Sequence, residues 1–330
     1  MKIAITNIVK KYFLHAIIAA VALFLGIMLG NDPEITWHEA CHANYRFINA
    51  DVVCDRTPVI TKTGYAALQG RIEALLTAEV AAGHLAEAGV YFRDLEDGPV
   101  FGVNETADFA PASLLKLPLA LVYLTQAERR PEILKQELSV AKPQWSFTQT
   151  FESKVSIDPK EPHKVKELLM HMLAHSDNDS YGVLLTHLHE TGQKELITAT
   201  FLELGFINPN DINDAVLSVR RYGGIFRALY NASYVSPALS EMTLAWLAQS
   251  NFTEGLRGGV PEEVAIAHKF GGRFTEDGKK QLHDCGIVYY PANPYLICIM
   301  SKGDDFGELA TVITRISAEV YREVDSRRIK

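Results

Sequence analysis

Pro111-Ala112-Ser113-Leu114-Leu115-Lys116-Leu117-Pro118 puts a small-residue turn ahead of an apolar helix, with a serine and a lysine three positions apart. One helical turn sets both side chains on one face. With Ser113 at the amino end of that helix, its Oγ lies near the positive end of the helix dipole, and a neutral Lys116 amine can take its proton. Neutrality calls for a dry pocket and a second cation nearby, since both depress a lysine pKa. About one S-x-x-K string is expected by chance in a chain of this length. A second one, Ser139-Val140-Ala141-Lys142, precedes Pro143 in a loop-like stretch without helical periodicity and is assigned to chance. Standing alone, the Ser113 string reads more simply as a helix cap followed by a surface lysine.

Two strings further along change that balance. Ser176-Asp177-Asn178 lies at a break between the helical runs VKELLMHMLAH and SYGVLLTHL, where a plain cap is the competing reading. Lys269-Phe270-Gly271-Gly272 closes an apolar, strand-like run, where a Gly turn beside a solvated lysine is the competing reading.

The surrounding pattern supplies a scaffold. From about Tyr65, Leu68, Ile72, Leu75, Leu76 and Val80 form the stripe of an amphipathic helix that Gly83 can end. GVYFRDL (89–95) and VFGVN (100–104) flank an Asp-Gly turn and predict a hairpin. Residues 111–246 are mostly helical, broken by a Pro-rich, charged loop over 130–163. VAIAHKF (264–270), HDCGIVYY (283–290) and PYLICIM (294–300) predict three strands. A last helix over 304–327 buries Leu309, Val312, Ile313, Ile316, Val320 and Val324, capped by Asp304 or Asp305. The expected fold is α/β of the α+β type. A five-stranded antiparallel sheet, built from 62–110 and 255–330 and flanked by helices, receives an all-helical insertion over 111–254.

The three strings in this order, 60 residues from Lys116 to Ser176 and 93 from Ser176 to Lys269, resemble those of the penicilloyl serine transferases, above all the class A β-lactamase family. The likeness extends to the segments around Arg220-Arg221-Tyr222 and His283-Asp284-Cys285-Gly286 and covers roughly residues 62–328. It implies a serine hydrolase with Ser113 as acylated nucleophile and Lys116 as proton acceptor. Ser176 would relay a proton to the leaving nitrogen, and Asn178 would face the substrate and fix Lys116. Lys269 would supply positive charge beside Ser176, and the N–H groups of Ser113 and Gly272 would hold the oxyanion. Phe270, Gly271 and Gly272 would complete the substrate-binding strand. The implied substrate is a β-lactam or a peptidoglycan peptide, with no metal or organic cofactor. A slowly deacylating penicillin-binding sensor and a D,D-peptidase are the alternatives.

Two departures from the family pattern carry consequences. Phe270 stands where a Thr or Ser hydroxyl usually meets the substrate carboxylate, so penicillin recognition is expected to differ. The E-x-x-L-N string that carries the deacylating glutamate is absent; the corresponding stretch, 208–214, offers Asp211 or Asp214. Slow turnover is expected, because a shorter carboxylate would need a shifted backbone to hold water.

Residues 1–35 read as a cytoplasmic tip and membrane anchor. Tyr12 to Gly30 holds one group that titrates near neutral pH, His15, and as a helix spans roughly 28 Å, about the hydrocarbon thickness of a bilayer. A cleaved signal peptide is the alternative, poorly matched by Ile27-Met28-Leu29-Gly30. Lys2, Lys10 and Lys11 before the run, with Asp32, Glu34 and Glu39 after it, place residues 62–330 outside the cytoplasm. Residues 36–61 form a tether in which Cys41 and Cys54 are the favoured disulfide; Cys285 and Cys298 fit a pair or two buried thiols equally. With 32 basic against 40 acidic residues, the net charge of −8 and the lack of a basic run argue against nucleic acid as a partner. His171 with His175, and His187 with His189, lack a third ligand and are not read as a metal site. Trp145, Phe147 and Phe151 are read as packing the long loop, with a cleft wall as the alternative, and Arg220 and Arg221 as salt-bridged or solvated.

Overall fold

The computed structural model describes residues 45–49, 64–96, 100–140, 150–151, 155–206, 215–291 and 293–327. The apolar run 12–30, Cys41 and Cys54, Trp145 and Phe147, and Asp211 and Asp214 lie outside these residues. Among the described residues no helix is long and apolar enough to cross a membrane.

The apolar periodicities become elements close to their expected places. Helix α1 (Ala66–Ala81) buries Leu68, Ile72 and Leu76 and stops before Gly83 at φ +81°, a conformation that glycine adopts without strain. Strands β1 (Glu87–Asp94) and β2 (Val100–Val103) pair antiparallel. A 3-10 turn, Ala112–Leu115, leads into α2 (Lys116–Arg129), whose residues 116–124 are all buried, as expected of a helix that is apolar all round. The predicted long loop contains a short antiparallel pair, β3 (Glu137–Leu138) with β4 (His163–Lys164). Then come α3 (Val165–Ala174), α4 (Asn178–Glu190), α5 (Lys194–Glu203), α6 (Val219–Tyr230) and α7 (Pro237–Leu247). The chain closes with β5 (Ile266–Phe274), β6 (Lys280–Val288), β7 (Tyr295–Gly303) and α8 (Phe306–Arg327). Asp305 caps α8 by accepting the N–H groups of Gly307 and Glu308.

The main sheet runs β2-β1-β7-β6-β5, antiparallel throughout, so its two edges come from opposite ends of the chain. Both faces are covered, which explains why β7 reads as continuous apolar sequence and does not alternate. One face carries Ala267, Cys285, Ile287, Leu296, Cys298 and Met300 into the core shared with α2, α3 and α6. The other carries Ile266, Phe270, Leu282, Ile297 and Ile299 against α1 and α8. Cys285 and Cys298 are direct cross-strand partners of β6 and β7 and form a disulfide, which decides between the two readings of that pair.

Two expectations need correction. β5 runs on to Phe274, so Lys269-Phe270-Gly271-Gly272 lies inside the strand and does not end it. Ser113 sits in the 3-10 turn ahead of α2, one turn earlier than the α-helix itself.

Candidate active site

The nucleophile candidate is set by strained backbone on one side and a tyrosine on the other. Ala112, immediately before Ser113, has φ +49°, and Ser176 has φ +54°. A left-handed non-glycine residue costs of order 1–3 kcal/mol and persists only where its surroundings impose it. Two of the four such residues among those described flank this site. Tyr222 of α6, fully buried, donates its hydroxyl to Leu114 O at 3.1 Å and fixes the 3-10 turn. Strand β5 lies against the same turn: a Cβ on Gly271 would stand 3.0 Å from Ser113 N and 3.1 Å from Leu114 N. Glycine is what permits that approach.

Lys116 starts α2 and is 2% exposed. Its Nζ donates to Asn178 Oδ1 at 2.6 Å, to Ser176 O at 2.5 Å and to Ser176 Oγ at 3.2 Å. Burial lowers its pKa to about 7, against a raising influence from Asp177. Asp177 is the N-cap of α4: it accepts the N–H of Ser180 at 2.8 Å and its hydroxyl at 2.5 Å. That cap turns the chain so that Ser176 and Asn178, on either side of it, both reach the lysine. The predicted helix break is thus a cap and a binding turn at once.

These residues open onto a cavity of about 510 Å³. Its wall includes Ser113, Lys116, Ser176, Asn178, Phe270 and Gly272. Phe151 lies on Gly272 and belongs to an aromatic cluster with Phe252, Phe270 and Phe306, so it both packs the loop and lines the cavity. Phe270 is 5% exposed and stacks on Phe252 at 4.2 Å, with most of its ring committed to the α8 side of the sheet. Lys269 is 0% exposed. Its Nζ donates to Phe270 O at 2.9 Å and stands 4.6 Å from the centroid of the Phe270 ring. It is near enough to Lys116 for the two charges to repel, but its side chain lies behind the cavity wall.

Ser113, Lys116, Ser176, Asn178, Phe270, Gly271 and Gly272 are therefore brought together, with Lys269 buried next to them. Several contributors were not foreseen. Tyr181, one turn after Asn178, lines the cavity, and burial pushes its hydroxyl up to about 12. Arg273 and Glu276 line it from the β5–β6 end. His283, fully buried, is 3.0 Å from Ala110 O through Nε2, while Ser301 N donates to its Nδ1 at 3.3 Å. With Nδ1 accepting, the proton sits on Nε2 and is donated to Ala110, which anchors the segment entering Ser113. Spacing from Asn178 could have suggested Tyr181; His283 lies in a segment that carried the family resemblance, but nothing in that segment pointed to Ala110.

The remaining histidines and arginines serve elsewhere. The rings of His171 and His175 lie 5.6 Å apart, tilted at 59°, at the end of α3, and no cluster of three metal-ligating side chains occurs among the described residues. His187 is hydrogen-bonded to Tyr123 and Gln136. Arg220 and Arg221 pair with Glu105 and Asp108, each at 3.6 Å.

The sequence model of the beta-lactamase enzyme family matches residues 67–324, which takes in every cavity residue named above. The chain belongs to that family. It is a β-lactamase-type hydrolase, the class of enzyme that acts on cyclic amides. Solved structures share the fold. A mutant of PBP-A, determined as its acyl-enzyme complex with penicillin G, is 20% identical, with a TM-score of 0.65 over 81% of this chain and 100% of that one. A β-lactamase from Chitinophaga pinensis DSM 2588 is 21% identical, with a TM-score of 0.66 over 78% and 99%. One from Xanthomonas campestris pv. campestris is 19% identical, with a TM-score of 0.63 over 77% and 97%. No curated protein matches the chain.

Proposed function

We propose that this hydrolase forms an acyl-enzyme on Ser113 with a β-lactam or a cell-wall-type amide. The observation that carries the proposal is Lys116: a buried amine one turn from Ser113, held by Ser176 and Asn178, with a pKa near 7. At neutral pH about half of it is an amine with a free lone pair. In the proposed step Ser113 Oγ attacks the amide carbon while its proton passes to Lys116 Nζ. The carbonyl electrons move onto oxygen, facing the N–H groups of Ser113 and Gly272, where fixed dipoles need no reorganisation. As the C–N bond breaks, Ser176 passes a proton to the leaving nitrogen and is reprotonated from Lys116. Lys269, behind the wall, adds positive potential that favours an anionic substrate.

A second reading is supported by what the sequence lacks. With no E-x-x-L-N string, and with Glu276 of the β5–β6 turn as the carboxylate among the described cavity residues, deacylation has no evident base. A persistent acyl-enzyme would make the protein a penicillin-binding sensor or a D,D-peptidase. The same proposal places the hydrolase outside the cytoplasm, tethered by an uncleaved helix over 12–30. The charge asymmetry around that run and the Cys285–Cys298 bond, which suits an oxidising compartment, support this.

Intact mass of the protein after incubation with penicillin G tests the reading. One added penicillin mass in wild type and none in Ser113→Ala is expected. Equal labelling of the two would remove Ser113 as nucleophile. Decay of the adduct with product release separates a hydrolase from the trapped sensor.

A further inference from the structure

Strands β5 and β6 carry two titratable groups that the proposed acylation leaves unused. The side chains of His268 and Asp284 are 2% and 0% exposed, and His268 Nδ1 lies 2.8 Å from Asp284 Oδ1. The other carboxylate oxygen accepts Leu256 N–H at 2.9 Å. Gly255, at φ +62°, makes that approach possible: a Cβ there would stand 2.7 Å from Asp284 Oδ2. A buried carboxylate survives as an anion only when donors meet its oxygens, and here each oxygen has one.

The register ties this pair to Lys269. Asp284 is the cross-strand partner of Phe270, so the two side chains share a face of the sheet. The ring of Phe270 in turn receives Lys269 Nζ at 4.6 Å. Lys269 makes no direct ion pair among the described residues; its one hydrogen bond there goes to Phe270 O. Two charged groups act on it from neighbouring elements, Lys116 of α2 and Asp284 of β6. Burial pushes the Lys269 ammonium well below the ordinary lysine range, Lys116 pushes the same way, and Asp284 opposes both. The charge of Asp284 also reaches Tyr222 of α6, whose hydroxyl burial, above all, keeps protonated.

We propose that Asp284, fixed by His268 and by Leu256 N–H, is a positioning residue that holds the charge of Lys269 from the strand position opposite Phe270, and that His268 acts on the site through Asp284. This rests on the reading of Lys269 as the cation that favours an anionic substrate. Without Asp284, Lys269 loses its proton at lower pH, and the alkaline limb of Ser113 acylation moves down with it.

The test is a pair of titrations on the full-length protein: lysine 13Cε NMR, with Lys269→Arg assigning the resonance, and the pH profile of acylation. In Asp284→Asn both the Lys269 midpoint and the alkaline limb are expected to fall by about one pH unit. His268→Gln, which keeps a donor, leaves both in place, and His268→Ala moves both part of the way. An unchanged Lys269 midpoint in Asp284→Asn overturns the proposal. If that variant does not fold, an unchanged midpoint in His268→Ala overturns it instead. A shifted midpoint in a protein that forms no Ser113 adduct upholds the role of Asp284 and defeats the acylation reading.

Discussion

At the scale of single residues, the account turns on a lysine that would be a surface cation in most sequences. Lys116 is buried because α2 is apolar on every side, and its three hydrogen bonds go to acceptors on the α3–α4 break. Protonation blocks its proposed role as proton acceptor, so activity is lost on the acid side. The rate of acylation at fixed penicillin concentration is expected to rise with pH and level off, with its inflection near 7. Stopped-flow or quenched intact-mass kinetics between pH 5 and 9 measure this; an inflection absent from that range would show that Lys116 does not titrate there.

Individual elements carry their own consequences. Phe270 stands where the family resemblance leads one to expect a hydroxyl, and its ring packs on Phe252 and Phe151. Phe270→Thr is therefore expected to lose about 3 kcal/mol of stability in urea unfolding, as large-to-small core substitutions do, whatever it adds to recognition. A smaller loss, under about 1 kcal/mol, would mean the cluster closes over the gap. His283 ties β6 to the segment before Ser113 and is held neutral, its pKa lowered by burial to about 4. The unfolded chain binds a proton at His283 near pH 6.5 and the folded one only near 4, so stability falls as pH drops through that window. The loss is about 3 kcal/mol by pH 4, and His283→Asn should remove that share of the pH dependence.

The element scale also shows how far sequence reasoning reaches. Periodicity located α1, α8 and the strands to within a few residues, because their apolar residues repeat with the period of the element. The S-x-x-K and S-D-N strings marked Ser113, Lys116, Ser176 and Asn178, which chain turns bring together locally on two elements. Lys269 was legible as a residue, but its curl over Phe270 was not, since that depends on which face of β5 the aromatic cluster occupies. Tyr222, His283 and Asp284 lay in segments that carried the family resemblance, but the partners of their side chains were not legible, for the same reason. Their hydrogen bonds reach across 16 to 173 positions of sequence, and no local pattern encodes such partners.

Over the whole molecule, one sheet made from both ends of the chain holds the site between a helical half and the edge strand β5. The Cys285–Cys298 bond pins the inner strands β6 and β7 to each other beside Lys269, whose cross-strand partner is Cys285. Closing a loop of this separation, 13 residues, stabilises a fold by about 3 kcal/mol in the chain-entropy account. Cys285→Ala with Cys298→Ala is expected to lower Tm by several degrees, and dithiothreitol should move wild type towards the double variant and leave the double variant unchanged. Equal Tm values for all three would show that the bond adds nothing to stability.

The central claim is that a neutral, buried Lys116 activates Ser113. Its most direct test is the second-order rate of penicillin acylation in Lys116→Ala, followed by intact mass beside wild type at pH 7.5. The account predicts a fall of roughly 100-fold or more, the range of general-base catalysis, in a variant that still folds. Acylation of Ser113 at the wild-type rate in Lys116→Ala would contradict it.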